Sequence, residues 1–75
     1  MDKQDKEILK LSKYCEHWAD HNNSHKESYL KWRNVAKEKG LGEVAENLDK
    51  AIQMLEKCNE YLLAAHGKLW FFTQL

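Results

Sequence analysis

Apolar residues recur at helical spacing along the first half of the chain, and a break in that pattern predicts two helices there. The first stripe consists of Ile8, Leu11, Tyr14, Cys15 and Trp18. Asn22 and Asn23 favour a helix end, because asparagine tolerates the left-handed backbone conformation. Ser24 and Glu27 have the spacing of a capping box, which begins a helix. We therefore expect helix 1 over about residues 3–22 and helix 2 over about residues 25–39.

A second break, Gly40-Leu41-Gly42, predicts a third helix over about residues 43–66. Apolar residues follow it in alternating steps of four and three, which is typical of a heptad seam. The members of this seam are Val44, Leu48, Ala51, Leu55, Cys58, Leu62, Ala65 and Leu69. The pattern predicts an all-α fold, an up-down-up three-helix bundle with a long third helix, in a single domain of residues 1–75.

The predicted helices differ in length, and this predicts association. At 1.5 Å per residue helix 2 would be ~22 Å long and helix 3 ~36 Å long. The end of helix 3 and the apolar tail 67–75 would then expose a large apolar surface, which usually marks contact with another chain. We expect a homodimer through helix 3 and the tail. Alternatively, Gly67 ends helix 3 and the tail folds back as a lid.

Composition and charge exclude several classes of function. The 75 residues carry no net charge at neutral pH, so the basic footprint of a nucleic-acid-binding protein is missing. The longest apolar run is far too short for a membrane span, and no signal peptide is recognisable. Cys15 and Cys58 stand apart rather than in a CxxC pair. We expect a cytoplasmic protein that binds neither nucleic acid nor membrane, with both cysteines and Trp18 and Trp32 in the core.

Three histidines provide the candidate chemistry. His17, His21 and His25 are spaced by four residues, and imidazoles at that spacing can bind one cation. With His25 beyond the expected turn, all three could converge on zinc, nickel or copper. The competing interpretation is that histidines near a helix end complement the helix dipole. We expect His66 to cap the end of helix 3 rather than to bind the metal.

The same region carries a family resemblance. His17-Trp18, His21-Asn22 and His25, followed by Tyr29, Trp32 and the Gly40-Leu41 break, resemble a family of small uncharacterised prokaryotic helical proteins with an HWxxHNxxH signature. The resemblance covers about residues 15–65 and implies a helical fold and metal binding, without a reaction.

Two functions follow as hypotheses. The first is a small helical module that binds a transition metal through His17, His21 and His25. The alternative is a helical oligomerisation or protein-interaction module without a metal. We do not expect an enzyme, because the sequence suggests neither a nucleophile with its base nor a glycine-rich phosphate loop.

Overall fold

The computed structural model describes residues 5–73, which form an antiparallel pair of long helices. Helix α1 spans Lys6–Glu38 and helix α2 spans Gly42–Thr73, so the connection between them is only three residues long. The molecule is a rod with extents of 60 × 14 × 13 Å. The fold is therefore all-helical, but it is a helical hairpin rather than a bundle.

The prediction of a three-helix bundle was wrong because α1 does not break at residues 22–25. The expected helices 1 and 2 are one helix of 33 residues. Asparagine and serine cost only a few tenths of a kcal/mol in a helix interior, and packing along α2 outweighs that cost. Asn22 bonds across to α2 instead of ending the helix, and Ser24 lies within the helix, so the capping box is not used.

The second predicted break is confirmed. Gly40 has a φ of 77°, a conformation that favours glycine. The Leu41 amide donates to the Ala36 carbonyl at 2.8 Å and the Gly40 amide donates to the Lys37 carbonyl at 3.1 Å, the Schellman pattern that ends a helix. At the other end of α1, the Asp5 carboxylate accepts from the Glu7 amide at 2.8 Å and caps the first turn. The chain thus reverses at Lys39–Leu41.

A heptad seam joins the two helices. Along α1 the seam positions are Ile8, Ser12, Cys15, Ala19, Asn22, Lys26, Tyr29, Arg33 and Ala36, all buried or half-buried. Along α2 they are Ala45, Leu48, Ile52, Leu55, Asn59, Leu62, His66 and Leu69. The leucines of the predicted seam are confirmed, whereas Val44, Cys58 and Ala65 are exposed. The two helices therefore meet along one unbroken stripe on each.

Small side chains fill the most buried part of this seam. Cys15, Ala19, Ala36, Ala45 and Ile52 are each less than a tenth exposed, and within residues 5–72 no large side chain is completely buried. Small residues let the helix backbones approach closely, but they bury little apolar area.

The prediction of a tryptophan core was wrong. Trp18 is 44% exposed and Trp32 is 57% exposed, because both lie beside the seam rather than in it. Of the two cysteines, Cys15 is buried as expected and Cys58 is exposed.

The two helices also have nearly equal lengths, so helix α2 does not project beyond α1. Gly67 lies inside α2, which continues to Thr73. The predicted fold-back of the tail is therefore wrong for residues 67–73, and residues 74–75 of the predicted tail lie outside the described residues. His66 lies within α2 and does not cap its end.

Candidate functional site

The predicted site histidines form a ladder along the exposed side of α1. Because α1 is continuous, His17, His21 and His25 follow one another at one helical turn each, and all three are exposed. The ring centroids of His17 and His21 are 6.2 Å apart, and those of His21 and His25 are 4.5 Å apart with nearly perpendicular planes. The ring of Tyr29 follows at 6.1 Å from His25.

Two of the histidines lie close enough to act together. The Nε2 atoms of His21 and His25 are 2.9 Å apart, a hydrogen bond in which one ring donates and the other accepts. Within residues 5–73, no group of three or more His, Cys, Asp or Glu side chains is arranged to hold a metal ion. The turn that was expected to bring His25 back towards His17 is absent, so the three-histidine site stays a prediction.

The fourth histidine belongs to a different side of the hairpin. His66 Nε2 lies 3.4 Å from Glu16 Oε2, with the imidazole side chain about a quarter exposed. Two cross-helix ion pairs, Lys26–Glu56 at 3.5 Å and Arg33–Asp49 at 3.0 Å, have the same register as this contact. Along α1 the three pairs advance by ten and then seven residues, and along α2 they retreat by the same steps. One constant register therefore runs along the hairpin.

An asparagine cluster lies in the seam directly behind the histidine pair. Asn22 Nδ2 donates to Asn59 Oδ1 at 3.0 Å, and Asn59 Nδ2 donates to Asn23 Oδ1 at 2.9 Å and to the Ala19 carbonyl at 3.2 Å. Asn22 Nδ2 also lies 3.4 Å from Cys58 Sγ. Polar residues that pair specifically across a seam in this way fix the register of paired helices.

A second heptad stripe runs along α1 beside the seam and faces away from α2. From Leu11 to Val35 its steps of three and four continue without a break through the histidines, and none of these residues is Asp, Glu, Lys or Arg, whereas the next position towards the N-terminus is Glu7. The stripe consists of Leu11, Tyr14, Trp18, His21, His25, Ser28, Trp32 and Val35. Tyr14 and Trp18 stack with their ring centroids 5.6 Å apart. A stripe with this spacing and composition is typical of a helix that packs against another helix.

Helix α2 contributes a matching stripe on the same side of the hairpin. The contact between Asn22 and Cys58 places Cys58 on this side. Steps of three and four from Cys58 give Val44, Asn47, Ala51, Met54, Cys58, Tyr61, Ala65, Lys68 and Phe72, of which only Lys68 is charged. We call the two stripes together the aromatic face.

The opposite side of the hairpin has the reverse character, and we call it the charged face. It contains Glu16, Asp49 and Glu56, the acidic partners of the three cross-helix contacts. The remaining charged residues at its positions are Lys6, Lys13, Asp20, Glu27, Lys37, Glu46 and Glu60. The charged residues of the hairpin therefore concentrate on one face, and most of its large exposed apolar side chains lie on the other, with Leu63 and Trp70 as the exceptions on the charged face.

Sequence reasoning missed both the asparagine cluster and the second stripe of α1. The sequence pattern interpreted Asn22 as the end of a helix. A seam that is traced through apolar residues alone does not include Asn, Lys or Arg, so it did not show that Asn22 occupies a seam position. The available signal was the interval of three and four from Leu11 to Val35, which crosses the expected turn without a shift of phase. Neither described helix has a stretch long and apolar enough to cross a membrane.

Comparison with known proteins identifies a family. A family model described as "Domain of unknown function (DUF8180)" matches residues 11–69, which include the histidine pair and all of the seam except Ile8. This agrees with the expected resemblance to an uncharacterised family, whereas the HWxxHNxxH signature stays a prediction. No curated protein and no solved structure matches the chain.

Proposed function

The chain belongs to the DUF8180 family, a domain of unknown function, and we propose that it is a self-associating helical module. Two copies pack through their aromatic faces and form a four-helix bundle. This is the interaction function that the sequence left as the alternative to metal binding. The observation that carries the proposal is the unbroken, nearly uncharged aromatic face on a two-helix rod.

The exposed area of the rod supports association. A compact monomer of 8.9 kDa exposes about 4,800 Å², whereas this chain exposes 6017 Å². The excess of about 1,200 Å² per chain is larger than the roughly 800 Å² that each partner buries in a standard interface. The radius of gyration of 17.2 Å likewise exceeds the roughly 11 Å of a compact domain of this length. A second hairpin laid on the first would supply the missing layer.

The distribution of side chains supports the aromatic face as the surface that is covered. Tyr61 is 70% exposed there, and Met54, Trp32 and Phe72 are each more than half exposed. Burying such side chains drives association, and aromatic residues are enriched at interface centres. The charged face, with its cross-helix ion pairs, would stay in water. A second copy is the proposed occupant because an uncharged face meets its own copy without repulsion.

The test compares two exposed residues of α2 that differ in the face they occupy. Tyr61→Glu places a charge on the aromatic face, and Leu63→Glu places the same charge on the charged face, where Leu63 is 54% exposed. Each substitution occurs twice in a symmetric dimer, so about 1.4 kcal/mol per copy would weaken dimerisation by Tyr61→Glu roughly hundredfold. The measurement is sedimentation equilibrium in the presence of a chelator, with circular dichroism as the check on helix content.

We expect the unaltered chain and Leu63→Glu to sediment as dimers and Tyr61→Glu as a folded monomer. A monomeric unaltered chain at 100 µM would overturn the proposal. Dissociation by Leu63→Glu alone, or by neither variant, would place the interface elsewhere and also contradict it. Heterologous binding of a different protein would show as a monomer that Tyr61→Glu leaves unchanged.

A further inference from the structure

We propose that the dimer binds one transition-metal ion between His21 and His25 of one copy and the same two residues of the second copy. The ion belongs to the class that prefers imidazole nitrogen, such as zinc, nickel or copper. This inference rests on the proposed function, because a single chain supplies only half of the ligands. Within residues 5–73, one chain has no cluster of three or more candidate ligands.

The distance between the Nε2 atoms of the histidine pair is close to that in a two-ligand chelate. These atoms are 2.9 Å apart. Two imidazole nitrogens bound to one tetrahedral ion at 2.0–2.1 Å are roughly 3.4 Å apart. The Nε2 atoms therefore need to move apart by only about 0.5 Å for the hydrogen-bonded pair to become a chelating pair, and small side-chain rotations allow such a movement. When an ion binds both Nε2 atoms, the ring that donated the hydrogen bond carries its proton on Nδ1 instead, a change of tautomer that releases no proton.

Two copies of the α1 stripe can pair antiparallel about the centre of any of its steps, and the centre at position 23 is the one that brings the two histidine pairs together. The members of the stripe are spaced equally on either side of position 23, so that Leu11 corresponds to Val35, Tyr14 to Trp32, Trp18 to Ser28, and His21 to His25. When two such helices pack antiparallel about a twofold axis at position 23, each residue lies opposite its counterpart. His21 of each copy then faces His25 of the other.

This crossing point also gives nearly complete overlap of the two rods. Position 23 lies next to the midpoint of Lys6–Glu38, so neither copy extends far beyond the other. Packed helices lie 8–10 Å apart, and an ion on the twofold axis, to the side of the line that joins the two helix axes, would lie between the imidazoles of the two copies. Four histidine nitrogens would then surround it.

Burial in the dimer would favour a bound ion energetically, because the histidine nitrogens would otherwise lose hydrogen-bond partners. In one chain both rings are exposed, and water satisfies the nitrogens that their mutual hydrogen bond does not use. Between two aromatic faces the rings would lose part of that water, and an unsatisfied buried polar group costs free energy. A shared ion satisfies one nitrogen of each ring. Trp18 and Trp32 occupy the stripe on both sides and would close the site from solvent.

The test is the zinc stoichiometry of chelator-treated chain, measured by isothermal titration and by metal analysis after gel filtration. We expect one zinc ion per two chains. His25→Ala removes stoichiometric binding, and His17→Ala and His66→Ala retain it as matched histidine controls. The monomeric Tyr61→Glu variant also loses tight binding, although its four histidines are intact.

The outcomes separate this inference from the proposed function. A dimer in chelator that binds no zinc overturns the metal site and leaves the self-associating module standing. One zinc ion per chain, or loss of binding in Cys58→Ser, also overturns the four-histidine site, because Cys58 lies near this level on α2. A monomer with or without zinc overturns both.

Discussion

Asn59→Ala is the sharpest test of the hairpin seam, because the Asn59 amide makes three cross-helix hydrogen bonds. It accepts from Asn22 at 3.0 Å and donates to Asn23 at 2.9 Å and to the Ala19 carbonyl at 3.2 Å. Each hydrogen bond contributes about 1 kcal/mol net to the free energy of unfolding. A partner left without its bond costs less free energy when water reaches it than when it is buried. We therefore expect Asn59→Ala to lower the free energy of unfolding by roughly 1–3 kcal/mol.

Asn47→Ala is the matched control for this change. Asn47 lies on the same helix and is exposed, and its amide donates only within α2, to the Glu43 carbonyl at 3.1 Å. Both substitutions replace asparagine by alanine in a helix, so the gain in helix propensity is the same and cancels in the comparison. Because Asn47 lies on the aromatic face, the comparison is made at a protein concentration at which sedimentation shows both variants to be monomeric, and the difference between them then reports the asparagine cluster.

The assay is urea unfolding followed by circular dichroism, with all variants at one protein concentration because association would shift apparent stability. A double-mutant cycle with Asn22→Ala measures the coupling between the two amides, for which we expect roughly 1 kcal/mol. The reasoning would be refuted if Asn59→Ala and Asn47→Ala unfolded within about 0.5 kcal/mol of each other.

Three further changes test other parts of the fold. Gly40→Ala should lower the free energy of unfolding by about 1 kcal/mol, because φ is 77° at that position. Gly67→Ala, inside α2 with open space around it, should raise the free energy of unfolding by about 0.5–1 kcal/mol. Thermal melts measure both, and a change of the same sign in the two variants would contradict the assigned turn. Ala19→Leu should cost about 1–3 kcal/mol by overpacking the seam, where Ala19 is 3% exposed, and exposed Ala64→Leu should change the melting temperature little. Asp49→Ala should lower the free energy of unfolding more than Glu56→Ala, because the Arg33–Asp49 ion pair is shorter and less exposed than the Lys26–Glu56 ion pair. Urea unfolding measures both variants, and a larger loss in Glu56→Ala would contradict this order.

Local sequence patterns identified the helical class, the turn at Gly40 and half of the seam. Helical periodicity and the scarcity of glycine are local signals, and Gly40 supplies a backbone conformation that other residues rarely adopt. Leu48, Leu55, Leu62 and Leu69 were recognisable because they are apolar and evenly spaced. Each of these features depends on residues close together in the chain.

Only the tertiary structure decided that α1 continues through Asn22-Asn23-Ser24. Local propensity favours a stop at these residues, but the difference is a few tenths of a kcal/mol per residue. The bonds of Asn22 and Asn23 to Asn59, more than thirty residues away in the chain, outweigh it. Those bonds exist only once the hairpin has formed, so no local pattern reports them. The same continuity placed His21 and His25 side by side on one face, where the distance between their rings could be read only from the folded chain.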